Sequence, residues 1–175
     1  MQNRPDHLTA GRSLLAAFAI LSACALAASC QPTTSSSSPH QGSSSSLHPT
    51  AMFTAIHTGS RVSYKQEVRG TLTGIPQKMQ AWLVIQPNNV SAAYWPQPPP
   101  LQPDQNHHFS EVATLGASAN TDHGEKFNLM IVETDVNGGG QFQAFLDNPA
   151  DLGQGMPSLP QPSHILTTQI TVIRS

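Results

Sequence analysis

Met79-Gln80-Ala81-Trp82-Leu83-Val84-Ile85-Gln86 and Phe127-Asn128-Leu129-Met130-Ile131-Val132-Glu133-Thr134 are the stretches on which the fold turns. A strand wetted on one face alternates apolar with polar residues, and these two do not. Each therefore predicts a central strand covered on both faces. On the N-terminal side, Tyr64 to Thr73 does alternate, with Val68 and Leu72 on one face and Lys65, Glu67 and Arg69 on the other, until Gly74-Ile75-Pro76 ends it. Ala51 to His57 predicts a first strand, stopped by Thr58-Gly59-Ser60, and Phe109 to Leu115 predicts another. At the C-terminal side Ile165 to Ile173 reads as one strand, with Ile165, Thr167, Gln169, Thr171 and Ile173 alternating with the remaining residues. One stretch has helical spacing instead. Phe142, Phe145 and Leu146 within Gln141 to Asp147 predict a helix of one or two turns between Gly138-Gly139-Gly140 and Asn148-Pro149, capping an open end of the core. About seven short strands with one short helix before the last predict an all-β fold, an immunoglobulin-like β-sandwich, with a barrel as the competing architecture.

The chain has 175 residues, room for one ordinary domain plus extras. Only 10% of them are charged and the net charge is -2, with the few Lys and Arg scattered. A nucleic-acid partner would require those bases in a cluster, so that class of function is excluded as an expectation.

Ahead of the domain lies a leader. Arg4 and Arg12 precede a small, apolar run from Leu14 to Ala28 that leads into Cys30. At about 15 residues it is shorter than the roughly 20 a spanning helix needs, so residues 1–30 read as a signal peptide. Cys24 and Cys30 are the chain's two cysteines. Leu21-Ser22-Ala23-Cys24 resembles the bacterial lipobox, and Ala27-Ala28-Ser29-Cys30 does so less closely but ends where the apolar run stops. Both remain candidates for lipidation, Cys30 slightly ahead of Cys24, against a plain secretory leader cut after small residues. Residues 31–50, rich in Ser, Pro and Thr, lack apolar periodicity and predict a disordered tether with a root-mean-square span of about 25 Å. The folded domain is expected over residues 51–175, stabilised without disulfides.

Val68-Arg69-Gly70-Thr71, Gly74-Ile75-Pro76, Trp82-Leu83-Val84-Ile85, Tyr94-Trp95-Pro96-Gln97, Thr114-Leu115-Gly116 and Gly124-Glu125-Lys126-Phe127 together resemble a bacterial extracytoplasmic Ig-like module. The resemblance spans nearly all of residues 51–175. It implies a sandwich fold in a lipoprotein of the envelope and carries no catalytic or binding residues with it. Phe109 stands where that group often has Trp, and the Cys and Trp signature of antibody domains is absent.

Chemistry is sparse. Tyr94-Trp95-Pro96-Gln97 running into Pro98-Pro99-Pro100 places an aromatic pair before a polyproline stretch. Exposed rings there could stack on sugars, or the stretch could fill an aromatic groove. The competing reading, which the edge prolines favour, has Trp95 covering the sandwich edge while the prolines form an extended, non-pairing connection. Tyr94, Trp95 and Gln97 are accordingly the candidate ligand-binding residues, in a contact loop from Ala92 to Gln105. No metal site is assigned, because adjacent His107 and His108 point to opposite faces of a strand and would need His123 from another turn. Asp135-Val136-Asn137-Gly138-Gly139 partly matches a calcium loop but has Leu146 where the bidentate Glu belongs. A glycine-rich connection explains it better. With no nucleophile elbow, zinc motif or phosphate cradle, no catalytic residue and no cofactor is expected. The sequence thus reads as a non-enzymatic envelope lipoprotein, held at the membrane by its N-terminal lipid and binding an envelope protein or a glycan. A structural spacer module and a metal-binding envelope protein are the alternatives.

Overall fold

The computed structural model describes residues 48–90 and 93–175. The expected leader, both cysteines and nearly all of the expected tether lie outside these residues. The strands are β1 (Thr50–Phe53), β2 (Arg61–Val62), β3 (Lys65–Thr73), β4 (Met79–Pro87), β5 (Trp95–Gln97), β6 (His108–Thr114), β7 (Lys126–Asp135), β8 (Ser163–Ile165) and β9 (Ile170–Arg174), with helices α1 (Val136–Leu146) and α2 (Pro149–Leu152) between β7 and β8. The fold is all-β, with one three-stranded sheet in the order β1-β3-β6 and a second in the order β2-β9-β7-β4-β5, to which β8 adds by pairing with β7.

The two continuous apolar runs form β4 and β7, antiparallel partners from Met79↔Asp135 to Pro87↔Phe127. Each is covered on both faces, which is why neither alternates. Leu83 and Ile85 of β4, with Leu129 and Ile131 of β7, meet Val68 and Leu72 of β3 and Phe109 and Ala113 of β6 in one buried cluster. The alternate residues Trp82, Val84, Met130 and Val132 point the other way and bury Phe142 of α1. The Trp82 and Phe142 rings lie 5.3 Å apart, tilted by 58°, within the range of favourable aromatic pairs. The helix therefore forms a layer over a sheet face, where the sequence predicted a cap on an open end.

That helix is also longer than expected and contains the glycines assigned to a connection. Asp135 caps it, its Oδ1 accepting the Gly138 N–H at 2.8 Å. A Cβ at Gly138 would fall on Thr134 Oγ1 and one at Gly139 on Gln80 Oε1. Close approach of the helix to the sheet thus outweighs the roughly 1 kcal/mol that each glycine costs in helix propensity. The carboxylate proposed for a calcium loop is spent on this cap.

Three strands differ from expectation. The first divides: β1 pairs with β3, and after the turn at Gly59 (φ 88) the chain crosses to the other sheet, where β2 runs parallel to β9. The last divides too, because Ile131 N–H donates to Thr167 Oγ1 at 3.0 Å instead of to a backbone carbonyl. The Leu166 N–H still donates to Ile131 O at 2.8 Å. Leu166, Ile170 and Val172 face the core while Ile165 is 54% exposed. Finally, Trp95–Gln97 is no unpaired connection but the edge strand β5, in register with β4 from Leu83↔Gln97 to Ile85↔Trp95. Pro96 is tolerated there because an edge residue needs no outward donor.

Candidate functional site

Because successive residues of a strand face opposite ways, β5 separates the candidate ligand residues. Tyr94, just before it, bridges to Met156 and packs against the Trp82 and Phe142 cluster under the helices. Trp95 and Gln97 turn to the opposite side and line a cleft of about 670 Å³ at the margin where the two sheets part. The sequence grouped all three, and the structure brings only Trp95 and Gln97 together.

The floor is apolar, formed by Ile85 and Pro87 at the end of β4 and Phe127 at the start of β7. Two aromatic residues flank it. Trp95 is half-buried, its indole N–H donating to Leu152 O at 2.8 Å and its ring lying over Gly155, where a Cβ would come within 2.8 Å. Tyr64, the residue before β3, is also half-buried, with the Arg174 guanidinium 5.6 Å from its ring centroid, a cation-π contact. Gln97 is 8% exposed and ties the sheets together, its Oε1 accepting the Thr114 N–H at 2.9 Å and its amide donating to Trp95 O at 3.3 Å.

Acidic and amide groups complete the rim. Asp122, at φ 62, accepts the Ala117 N–H at 2.6 Å and the Thr121 hydroxyl at 2.9 Å. These bonds, the Ala117 N–H first, hold its carboxyl below the usual carboxylate range. Glu125 Oε2 accepts from the Asn89 amide at 3.2 Å. Asn89, Asp122 and Glu125 thus stand on one side of the mouth and Trp95 and Leu152 belong to its lining as well. No Lys, Arg, His, Ser or Cys lines the cleft among the described residues.

Of the candidate histidines, His123 adjoins the rim beside Asp122, while the adjacent pair lies away from the cleft lining. His107, at φ 65, and His108 are exposed at the start of β6, and His123 is exposed in the turn before β7. Among the described residues no three His, Cys, Asp or Glu side chains are placed to hold a metal ion. Ala92, the first residue of the expected contact loop, lies outside the described residues, and the loop's later part, Leu101 to Asp104, borders other hollows. Tyr64, Asn89, Asp122 and Glu125 escaped the sequence reading as a group, since they come from three separate places: before β3, after β4 and in the turn before β7. The one local signal was Gly124-Glu125-Lys126-Phe127, a turn entering a buried strand.

No family model, curated protein or solved structure matches this chain. The cleft's own chemistry is the guide to its use.

Proposed function

We propose that this chain is a lipid-anchored protein of the bacterial cell envelope whose immunoglobulin-like sandwich binds a glycan, without catalysis, in the cleft beside Trp95. The strand order supports the sandwich reading. With β1, β3 and β6 as strands A, B and E, and β9, β7, β4 and β5 as G, F, C and C′, the two sheets match an immunoglobulin arrangement. Trp82 is a departure, since it faces the α1 layer instead of the core between the sheets.

One observation carries the binding reading: aromatic Trp95 and Tyr64, over an apolar floor, share a cleft with the amides and carboxylates of Asn89, Gln97, Asp122 and Glu125. Sugar rings present apolar faces and polar edges, and this lining offers a counterpart to each. The volume suits one or a few sugar units.

Trp95 separates ring stacking from its bond to Leu152. Full-length protein in detergent should retain envelope polysaccharide, Trp95→Phe should keep most of that binding, and Trp95→Ala should weaken it about tenfold. Binding by Trp95→Ala equal to that of the wild type would sink the proposal, as would no retention of polysaccharide by the wild type.

A further inference from the structure

Resting on that glycan reading, we infer that the sugar bound in the cleft carries a free amino group, and so a positive charge. The rim holds two carboxylates, Asp122 and Glu125, and no basic side chain lines the cleft among the described residues. The nearby Arg174, whose charge reaches Asp122, is committed to other contacts. It is 3% exposed, lies over the Tyr64 ring and donates from Nη2 to Ala119 O at 2.9 Å. A uronic acid or phosphorylated sugar would bring like charge against both carboxylates. An N-acetylated sugar would offer those carboxylates one neutral N–H donor and no positive charge. An ammonium group supplies several donors and the opposite charge, and the aromatic ring of Trp95 favours a cation further.

The two carboxylates differ in what they can contribute. Asp122 Oδ2 already accepts from Ala117 and Thr121 and holds its turn, so altering it would disturb the loop. Glu125 is exposed and accepts only a 3.2 Å bond from Asn89 among its side-chain contacts. Glutamine at that position keeps an oxygen for Asn89 while removing the charge. Glu125 is therefore the residue that confers the charge preference.

The test is calorimetric titration of full-length protein in detergent with glucosamine oligomers and with N-acetylglucosamine oligomers of equal length. The free-amine oligomer should bind about tenfold more tightly, and raising the salt should narrow the gap, because the rim is solvent-exposed. E125Q should bring the two oligomers to within about twofold while unfolding at the wild-type temperature. Equal binding of both oligomers, tighter binding of the acetylated one, or a preference that survives in E125Q would overturn the charge inference and leave the glycan reading standing. Binding of neither oligomer by protein that retains envelope polysaccharide would overturn the amino-sugar inference alone, and failure to retain the polysaccharide as well would overturn both.

Discussion

Glu133 is the residue least at ease in this molecule. It sits in β7 between Ala81 of β4 and His164 of β8, is 4% exposed, and has no hydrogen-bond partner at Oε1. Burial pushes its carboxyl above the usual range, and the charge of His164 only partly opposes this. The folded state therefore holds the proton more tightly than the unfolded chain does. The stability this confers is complete below the unfolded carboxylate pKa and is lost as pH rises through the folded value. Glu133→Gln should remove that decline and gain about 1 kcal/mol at alkaline pH, read by chemical denaturation at about pH 5 and about pH 8. A mutant less stable than wild type at the higher pH would contradict this account. Sequence alone placed Glu133 in a buried strand but could not show its missing partner. That depends on β8, which pairs with β7 opposite Glu133. The site residues show the same limit: Trp95 was legible as an aromatic beside prolines, whereas Asp122 and Glu125 join it only through the meeting of distant turns.

At the scale of elements, α1 shows where local propensity misleads. Three consecutive glycines read as a break, yet the helix passes through them because Gly138 and Gly139 approach the sheet. Their roles are separable. Gly140 has open space around its missing Cβ, while a Cβ at Gly138 would meet Thr134 Oγ1, which is fixed by its own bond to Pro162 O at 2.9 Å. Gly140→Ala should stabilise the protein by about 0.5–1 kcal/mol. Gly138→Ala should destabilise it by about 1–3 kcal/mol. Thermal unfolding of the two variants gives the comparison, and equal effects would mean that α1 does not pack as described. The long strands were readable because β3 alternates, while β4 and β7 are apolar throughout, and covering on two faces leaves that imprint directly. The short β2 and β5 were not, since two or three residues carry no period and Pro96 argues locally against pairing.

For the whole molecule, the layered arrangement accounts for a domain without cysteine. The sheet containing β4 and β7 is covered by the three-stranded sheet on one side and by α1 on the other. Two apolar clusters thus share the central strands, a degree of burial that makes disulfide cross-links unnecessary. The proposed anchor belongs to this scale as well, because it determines where the cleft acts. Radiolabelled palmitate in a bacterial host should label the wild-type protein, and either Cys30→Ala or Cys24→Ala alone should abolish the label. Unlabelled wild-type protein would refute lipidation and redirect the search for a ligand towards released, soluble glycans.

The division of the first strand has a mechanical consequence. Tension entering ahead of Thr50 meets β1 first, four residues on the margin of the smaller sheet. Beyond the turn at Gly59, β2 lies parallel to β9, so opposed pulls on the start of β2 and the end of β9 strain their hydrogen bonds together along the strand axis. Under such a load β1 would act as a sacrificial latch, peeling away while the β2 and β9 pair still clamps the sheets that bear the cleft.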